Sequence, residues 1–217
     1  MQRPCAAAPA RNAAPILGVL QHELRGRNAI FEIGSGTGQH AVTFAAVLPG
    51  VTWQTSDLEP SHDGIRAWID ESGLDNVLPP VAFDVLTAKA PDNRYDAVFS
   101  ANTAHIMSFS AVRRMFELVG AMLNDSGIFC QYGPFKRGGR FSTASNEAFD
   151  ASLRARNPAM GVRDLDELDA VARQHGMKPA RIYAMPANNF LVVWARTEDW
   201  QHPKGESGIA RLSLISD

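Results

Sequence analysis

Short apolar runs alternate with helix-period segments along most of the chain. A run over residues 30–33 is followed at once by apolar residues at helical spacing over residues 41–48. Further runs, each typical of a strand, occupy residues 51–55, 77–83, 95–100 and 128–132. This alternation predicts a doubly wound α/β domain with a mainly parallel sheet and helices on both faces.

The two ends of the chain differ from this centre. Residues 3–14 are rich in Pro and Ala and predict an irregular arm, followed by a helix that starts near Pro15, since proline suits a first helical turn. Residues 181–184 and 190–195 predict two closing strands joined as an antiparallel hairpin. We expect one domain over residues 1–196 and a polar, flexible or exposed tail over residues 197–217.

Three alternating glycines, Gly34, Gly36 and Gly38, end the first predicted strand. Glycine adopts positive φ readily and lets a ligand approach the backbone, and the start of the next helix has free N–H groups. A tight turn alone needs fewer glycines, so we expect a ligand-binding loop. The dinucleotide fingerprint requires its third glycine at the position of Gln39, one residue later than the glycine found here.

Polar side chains follow the other predicted strands at their carboxyl ends. Asp57 lies 19 residues after Gly38, about where an acidic residue contacts ribose hydroxyls in nucleotide-binding α/β folds. Its alternative role is a turn or helix cap, although Ser61 fits the cap of the next helix better. Asp84 and Asn102 follow the next two strands. Because ligands bind at this edge of such sheets, the residues predict one site.

Composition and charge narrow the class of protein. The formal net charge of −2 gives no overall attraction to nucleic acid or to an anionic membrane. Cys5, Cys130 and the histidines lack metal-ligand spacing, so we predict no catalytic metal. No apolar run reaches the ~18 residues of a membrane span, and the first residues lack the apolar core of a signal peptide. We expect a cytoplasmic monomer or homodimer.

The order acid-x-Gly-x-Gly-x-Gly, from Glu32 to Gly38, resembles motif I of the class I S-adenosylmethionine (SAM)-dependent methyltransferases. This resemblance covers about residues 28–195 and implies a Rossmann-like, mostly parallel seven-stranded sheet with an antiparallel last strand. Nearly the whole chain also resembles a family of small, poorly characterised methyltransferase-like proteins of bacteria and animals. That likeness rests on the Arg-Asn-x-x-Pro-Ile-Leu motif starting at Arg11 and on residues 34–40, 53–57, 102–106 and 185–189.

The resemblance implies that SAM is the cofactor and that its methionine end lies on the glycine loop. It also implies that Asp84 accepts a hydrogen bond from the adenine amino group. We expect the Arg11-Asn12 arm to fold over the methionine carboxylate; the alternative is an unordered terminus. The predicted cofactor-binding residues are Arg11, Asn12, Glu32, Gly34, Ser35, Gly36, Gly38, Gln39, His40, Asp57, Leu58, Asp84, Val85 and Asn102.

Methyl transfer depends on the alignment of acceptor, methyl group and sulfur, and it needs a base when the acceptor is a hydroxyl or a protonated amine. His105, just past the fourth predicted strand, is the first candidate base, and Tyr132 is the second. Their alternative roles are a loop histidine bonded to backbone and a core tyrosine. The Asn-Pro-Pro-Tyr signature of many adenine and glutamine N-methyltransferases is replaced by residues 100–103, which argues against those substrates.

A glycine-rich loop with Lys136, Arg137 and Arg140 follows the fifth predicted strand. It is either a solvated connector or a mobile lid whose cations hold an acidic group of the substrate. Together these features predict a SAM-dependent methyltransferase of a small molecule, with an oxygen or nitrogen acceptor. Two alternatives remain: a non-catalytic module that binds SAM or a partner, and a NAD(P)-dependent reductase, which Gln39 disfavours.

Overall fold

A computed structural model describes residues 4–197, so the predicted tail lies outside the described residues except for Thr197. The helices are α1 (Ala7–Glu23), α2 (Gln39–Val47), α3 (His62–Ser72), α4 (Phe109–Met122), α5 (Ala144–Arg156) and α6 (Leu165–Gln174). The strands are β1 (Ala29–Glu32), β2 (Thr52–Asp57), β3 (Val77–Ala82), β4 (Tyr95–Ala101), β5 (Leu123–Gly133), β6 (Phe135–Lys136), β7 (Arg163–Asp164), β8 (Met177–Met185) and β9 (Asn189–Arg196).

Seven strands form one sheet in the order β3-β2-β1-β4-β5-β9-β8. The pairs among β1 to β5 are parallel, and β9 is antiparallel to both of its neighbours. The predicted mostly parallel, seven-stranded sheet with an antiparallel last strand is therefore confirmed. β6 and β7 form a separate two-stranded parallel sheet. In the main sheet β1 is flanked by β2 and β4, so the loops after these strands meet at one edge.

A hydrophobic core fills each face of the main sheet. Successive strand residues point to opposite faces, so Ile30 packs in one core and Phe31 in the other. The core around Phe31 is covered by α4 and α6, while the core around Ile30 is covered by α1 and α2. The main sheet is therefore buried on both sides, which fixes the positions of its strand ends.

Two predicted boundaries are wrong. The irregular arm was expected over residues 3–14, but α1 begins at Ala7, and Pro15 lies inside it. Alanine has the highest helix propensity, and Pro9 stands in the first turn, where the missing N–H would have no helical partner. The fifth strand also begins before the expected residue 128, because Leu123 already pairs with Tyr95 of β4.

Candidate active site

The glycine loop turns the chain from β1 into α2. Gly34, Gly36 and Gly38 all have positive φ, at 74°, 60° and 90°. A Cβ atom on Gly34 would lie 2.7 Å from Cγ2 of Thr103, whereas one on Gly36 would have no atom within 4 Å. Gly34 is thus required for packing, and Gly36 presents bare backbone to open space.

Glu32 supports this loop from below. It is 1% exposed, and its Oε2 accepts hydrogen bonds from Ser35 Oγ at 2.8 Å and from Trp53 Nε1 at 3.0 Å. Burial raises the pKa of Glu32 to about 7. Neither donor is charged, so no opposite charge offsets the effect of burial on this carboxyl group. Glu32 stabilises the loop through these hydrogen bonds and lines neither of the cavities described below.

Asp57 joins the end of β2 to the glycine loop. Its Oδ2 accepts a hydrogen bond from Gly36 N at 2.7 Å, and its Oδ1 accepts from Leu58 N at 2.7 Å and from Ser61 Oγ at 3.2 Å. The expectation that Ser61 caps α3 is wrong in one respect: Ser61 stands at the cap position, but its side chain makes no capping bond. The hydroxyl is used to hold Asp57 instead.

Two cavities flank the glycine loop and share Gly34, Gly36, Ala101 and Asn102 as walls. The first, which we call the strand-end cavity, has a volume of about 420 Å³. Its walls are mostly apolar and carry two carboxylates; they include Asp57, Leu58, Phe83, Asp84, Val85, Leu86, Ile106 and Met107. The structure thus brings seven predicted site residues together, and it adds apolar neighbours that the sequence pattern did not single out; the seven are Gly34, Gly36, Asp57, Leu58, Asp84, Val85 and Asn102.

The second cavity, the loop cavity, has a volume of about 490 Å³ and lies between the glycine loop and the N-terminal arm. Pro4, Ala6 and Pro9 form the arm side of it. Arg11 and Asn12, which were expected to reach the ligand, lie further along α1 and line neither cavity.

Specific contacts hold the arm in place. The carbonyl of Pro4 accepts a hydrogen bond from Trp68 Nε1 at 2.7 Å, and Ala6 N donates to Gln39 Oε1 at 2.6 Å. The ring of Pro4 packs on Gly64, where a Cβ atom would lie 2.8 Å from Pro4 Cγ. Gln39 thus binds the arm, which explains its position at the start of α2 better than a direct ligand contact does.

His40 is a buried polar side chain that lines the loop cavity. Its ring stacks on Phe44 with centroids 5.0 Å apart, and it hydrogen-bonds to the backbone of Pro9. Burial lowers its pKa to about 4, so the ring is neutral. Its Nε2 has no hydrogen-bond partner among residues 4–197. A buried nitrogen without a protein partner is rare in native proteins, and this one is open to a hydrogen bond from a ligand or a water.

The residues after β4 form the floor between the two cavities. Asn102 has a φ of 60°, an uncommon value for a residue other than glycine, and its N donates to the carbonyl of Tyr132 at 2.9 Å. Tyr132 itself is buried, hydrogen-bonds to Asn189, and has its pKa raised to about 12 by burial. It lines neither cavity and packs in the core, which is the alternative role weighed for it.

His105 lies just beyond Asn102 and is buried near the ends of β4 and β5. Burial lowers its pKa to about 4, with smaller contributions in the same direction from the charges of Arg163 and Arg156. Its ring packs edge-on against Phe149 with centroids 5.3 Å apart. His105 lines neither cavity directly, whereas its neighbours Thr103 and Ile106 line the strand-end cavity.

Arg163 was not predicted as a site residue. Its guanidinium donates to the carbonyls of Ala104 at 3.0 Å, Ala159 at 2.8 Å and Met107. It therefore clamps the loop that carries His105, and Gly161 N adds a bond to the carbonyl of His105 at 3.0 Å. No sequence pattern marks this role, because the carbonyls of Ala104 and Met107 lie 59 and 56 residues away along the chain.

The basic loop after β5 is anchored at its start. Phe135 and Lys136 of β6 pair with β7, and Gly139 N donates to Asp164 Oδ2 at 2.5 Å. Lys136 Nζ lies over the ring of Phe141. Lys136, Arg137 and Arg140 are not among the residues that line either cavity.

Within residues 4–197, no three His, Cys, Asp or Glu side chains are grouped so that they could hold a metal ion. No helix in the same part of the chain is long and apolar enough to cross a membrane.

Comparison with known proteins identifies the family. A sequence model described as "Protein of unknown function (DUF938)" matches residues 3–196, so the chain belongs to the DUF938 family. The fold is that of the class I methyltransferases. It is similar to the mitomycin 7-O-methyltransferase MmcR, with a TM-score of 0.77 and 16% identity over 88% of this chain and 54% of that one.

Other solved structures give the same result. An O-methyltransferase family protein from Burkholderia thailandensis has a TM-score of 0.77 and 16% identity, over 89% of this chain and 58% of its own. A structure of PigF with SAH has a TM-score of 0.72 and 18% identity, over 87% and 63%. The chain thus spans little more than half the length of the structures it resembles.

Proposed function

We propose that this protein is a SAM-dependent methyltransferase that acts on a small molecule. The observation that carries the proposal is the pair of cavities that meet at Gly34, Gly36 and Asn102. SAM consists of a nucleoside and an amino acid joined at a sulfonium centre. One cavity offers carboxylates and apolar walls, and the other offers the glycine-loop backbone and an unpartnered imidazole nitrogen. The two halves of SAM match these two chemistries.

The strand-end cavity would hold the nucleoside. Asp57 would accept hydrogen bonds from the ribose hydroxyls, and Asp84 would accept one from the adenine amino group. Leu58 and Val85 would pack on the base. Carboxylates are good acceptors for these donors, since both oxygens are available and charge strengthens the bonds.

The loop cavity would hold the methionine end. Gly34, Ser35 and Gly36 line it, while Gly38 leads into the N-terminus of α2, where a carboxylate is favoured. His40 would meet the ligand through Nε2. Glu32 and Gln39 would act indirectly, by supporting the loop and the arm. We assign the arm contacts to Pro4, Ala6 and Pro9 in place of Arg11 and Asn12.

Bound SAM would supply an electrophilic methyl group, so the protein has to align the acceptor and handle a proton. We assign His105 as the base that takes the acceptor's proton, or as a group that orients the acceptor. Asn102 would lie between His105 and the cofactor. A neutral imidazole can accept a proton, although a pKa of about 4 makes it a weak base. Tyr132 would support Asn102 through its backbone carbonyl. Its phenol is not assigned as the base, because with a pKa of about 12 it stays protonated.

The acceptor in this proposal is a small molecule with an oxygen or nitrogen nucleophile. An acidic group on it, held by the loop of Lys136, Arg137 and Arg140, stays a prediction from the sequence. The cytoplasmic location, the monomeric or homodimeric state and the absence of a nucleic-acid partner also stay predictions from the sequence.

Calorimetry tests the proposal directly. SAM and S-adenosylhomocysteine (SAH) should bind with micromolar affinity, and NADPH should not. NADPH binding without SAM binding would favour the reductase instead. A methyl-transfer screen over small alcohols, phenols and amines then separates an enzyme from a non-catalytic SAM-binding module, which would bind SAM and transfer nothing.

A further inference from the structure

Three side chains converge on the space above Gly133, the last residue of β5. A Cβ atom built on Gly133 would lie 3.8 Å from Nδ1 of His105, 3.9 Å from Cζ of Phe135 and 4.0 Å from Oδ1 of Asn102. These are ordinary van der Waals separations, so the space accepts a methyl-sized group without displacing a neighbour. Asn102 also lines both cavities, so this space lies beside the place where they meet.

The two polar side chains at this space have no protein partner. Within residues 4–197, no hydrogen bond reaches a ring nitrogen of His105 or the side-chain amide of Asn102. His105 is only 6% exposed, and buried polar groups are nearly always hydrogen-bonded in native proteins. Asn102 is also held at positive φ, as strained residues at binding sites often are. Both groups are therefore available to accept a hydrogen bond from a ligand.

The surrounding charges restrict what that ligand is. Arg163 and Arg156 act on His105 and, together with burial, keep its ring neutral. They also oppose a second positive charge nearby, which disfavours an ammonium group. A weakly basic imidazole takes a proton more easily from a phenol, with a pKa of about 10, than from a far less acidic aliphatic alcohol.

Aromatic rings form the apolar walls. Phe135 is buried below the space, and Phe149 packs edge-on against His105 at an interplanar angle of 70° while remaining 37% exposed. Flat aromatic groups pack well against such rings in offset or edge-on arrangements.

We propose that the space above Gly133 is the polar end of the methyl-acceptor subsite and that it takes the hydroxyl of a small phenol, which donates to His105 Nδ1 beside the side chain of Asn102. This inference rests on the proposed function. In the reaction the phenol oxygen forms the new O–CH₃ bond as the methyl–sulfur bond of SAM breaks. The hydroxyl proton passes to His105 Nδ1, and the thioether product leaves without charge.

Gly133→Ala tests the subsite by placing a methyl group in the space. The substitution meets no close contact and no positive φ, so the variant should fold. Gly50→Ala is the matched control, because its Cβ would have no atom within 4 Å and it lies in the turn before β2. SAH affinity should change by less than about twofold in both variants, since neither glycine lines a cavity.

The probes are 4-methylphenol and, as a cationic counterpart of similar size, 4-methylbenzylamine. Each is titrated into SAH-saturated protein with labelled histidines, and the NMR signal of His105 is identified with His105→Gln. We expect 4-methylphenol to shift the His105 signal in the wild type and in Gly50→Ala. Binding should be weaker by at least about tenfold in Gly133→Ala. The amine should give no shift.

Three results have different meanings. If SAH binds but 4-methylphenol leaves the His105 signal unchanged, or shifts it equally in Gly133→Ala, the subsite is wrong. A stronger response to the amine overturns the choice of a phenol. Failure of SAH to bind the wild type contradicts the proposed function instead. The wild-type titration decides the question even if Gly133→Ala does not fold.

Discussion

Oδ2 of Asp57 lies 2.7 Å from the backbone nitrogen of Gly36, so the carboxylate at the end of β2 holds the centre of the glycine loop. The other oxygen accepts from Leu58 N and Ser61 Oγ. A carboxylate has about four acceptor positions. Three are filled within the protein, and the remaining one is open to a ribose hydroxyl. The two halves of the proposed cofactor site are therefore coupled through one side chain.

Asp57→Ala should weaken SAH binding by about 1–3 kcal/mol, the scale of a charged hydrogen bond left unmade. Calorimetry measures the affinity, and urea unfolding measures the accompanying loss of stability, which we expect because Gly36 N, Leu58 N and Ser61 Oγ lose their acceptor. Ser61→Ala is the matched control, because it removes one donor to Asp57 and leaves the carboxylate in place; its effect on affinity should be under about threefold. Equal affinities for Asp57→Ala and the wild type would reduce Asp57 to a turn residue.

Gly36→Val should abolish detectable SAH binding, because its side chain enters the space where backbone is exposed to the ligand. Gly36 has a φ of 60°, so valine at this position also strains the backbone. The control has to separate this strain from the loss of space for the ligand. Gly26→Val is the matched control: Gly26 has a φ of 72°, also has no atom within 4 Å of a built Cβ, and lies between α1 and β1. Both variants should lose similar stability, and only Gly36→Val should lose binding. Loss in both would indicate a general effect of strain.

Removing residues 1–6 should weaken SAH binding severalfold, because Pro4 and Ala6 line the loop cavity, while α1 begins only at Ala7. Trp68→Phe makes a milder test, since it deletes the Nε1 donor to the Pro4 carbonyl and keeps an aromatic ring. We expect a smaller loss of the same sign. Unchanged affinity in both proteins would mean that the arm does not contribute to binding.

The sequence could predict those parts of the candidate site whose positions follow from the order of the strands in the sheet. Asp57, Asp84 and Asn102 each end a strand with a clear apolar run, and parallel pairing alone brings such ends together. The arm was missed because Pro9 and Pro15 suggested a break, whereas both are accommodated in α1. Arg163 was missed for another reason: its role comes from carbonyls 56 and 59 residues away, and no local pattern encodes such contacts.

Glu32 should make the stability of the fold depend on pH. Its pKa is raised from 4.5 to about 7, so the folded state holds the proton more tightly than the unfolded chain. Its contribution to stability is therefore full below pH 4.5 and is lost as the pH rises to about 7. The stability of Glu32→Gln relative to wild type should increase across this window by up to about 3 kcal/mol.

Urea unfolding of both proteins from pH 4.5 to 8 measures that difference. The comparison is needed because His40 and His105, with pKa values lowered to about 4, act in the opposite direction in both proteins. A difference that does not change with pH would show that Glu32 is not protonated in the folded state near neutral pH.

His105→Gln should lower methyl transfer by about 100-fold or more, the range expected for loss of a general base. SAH affinity should remain nearly unchanged, because His105 lines neither cavity. The pH dependence gives the sharper test. A base must be unprotonated, and the pKa of His105 is about 4, so kcat should fall only as the pH drops toward that value and should show no step near 6.5 attributable to this residue. If His105→Gln keeps the full rate, the enzyme relies on alignment alone, and Asn102 is then the residue that orients the acceptor.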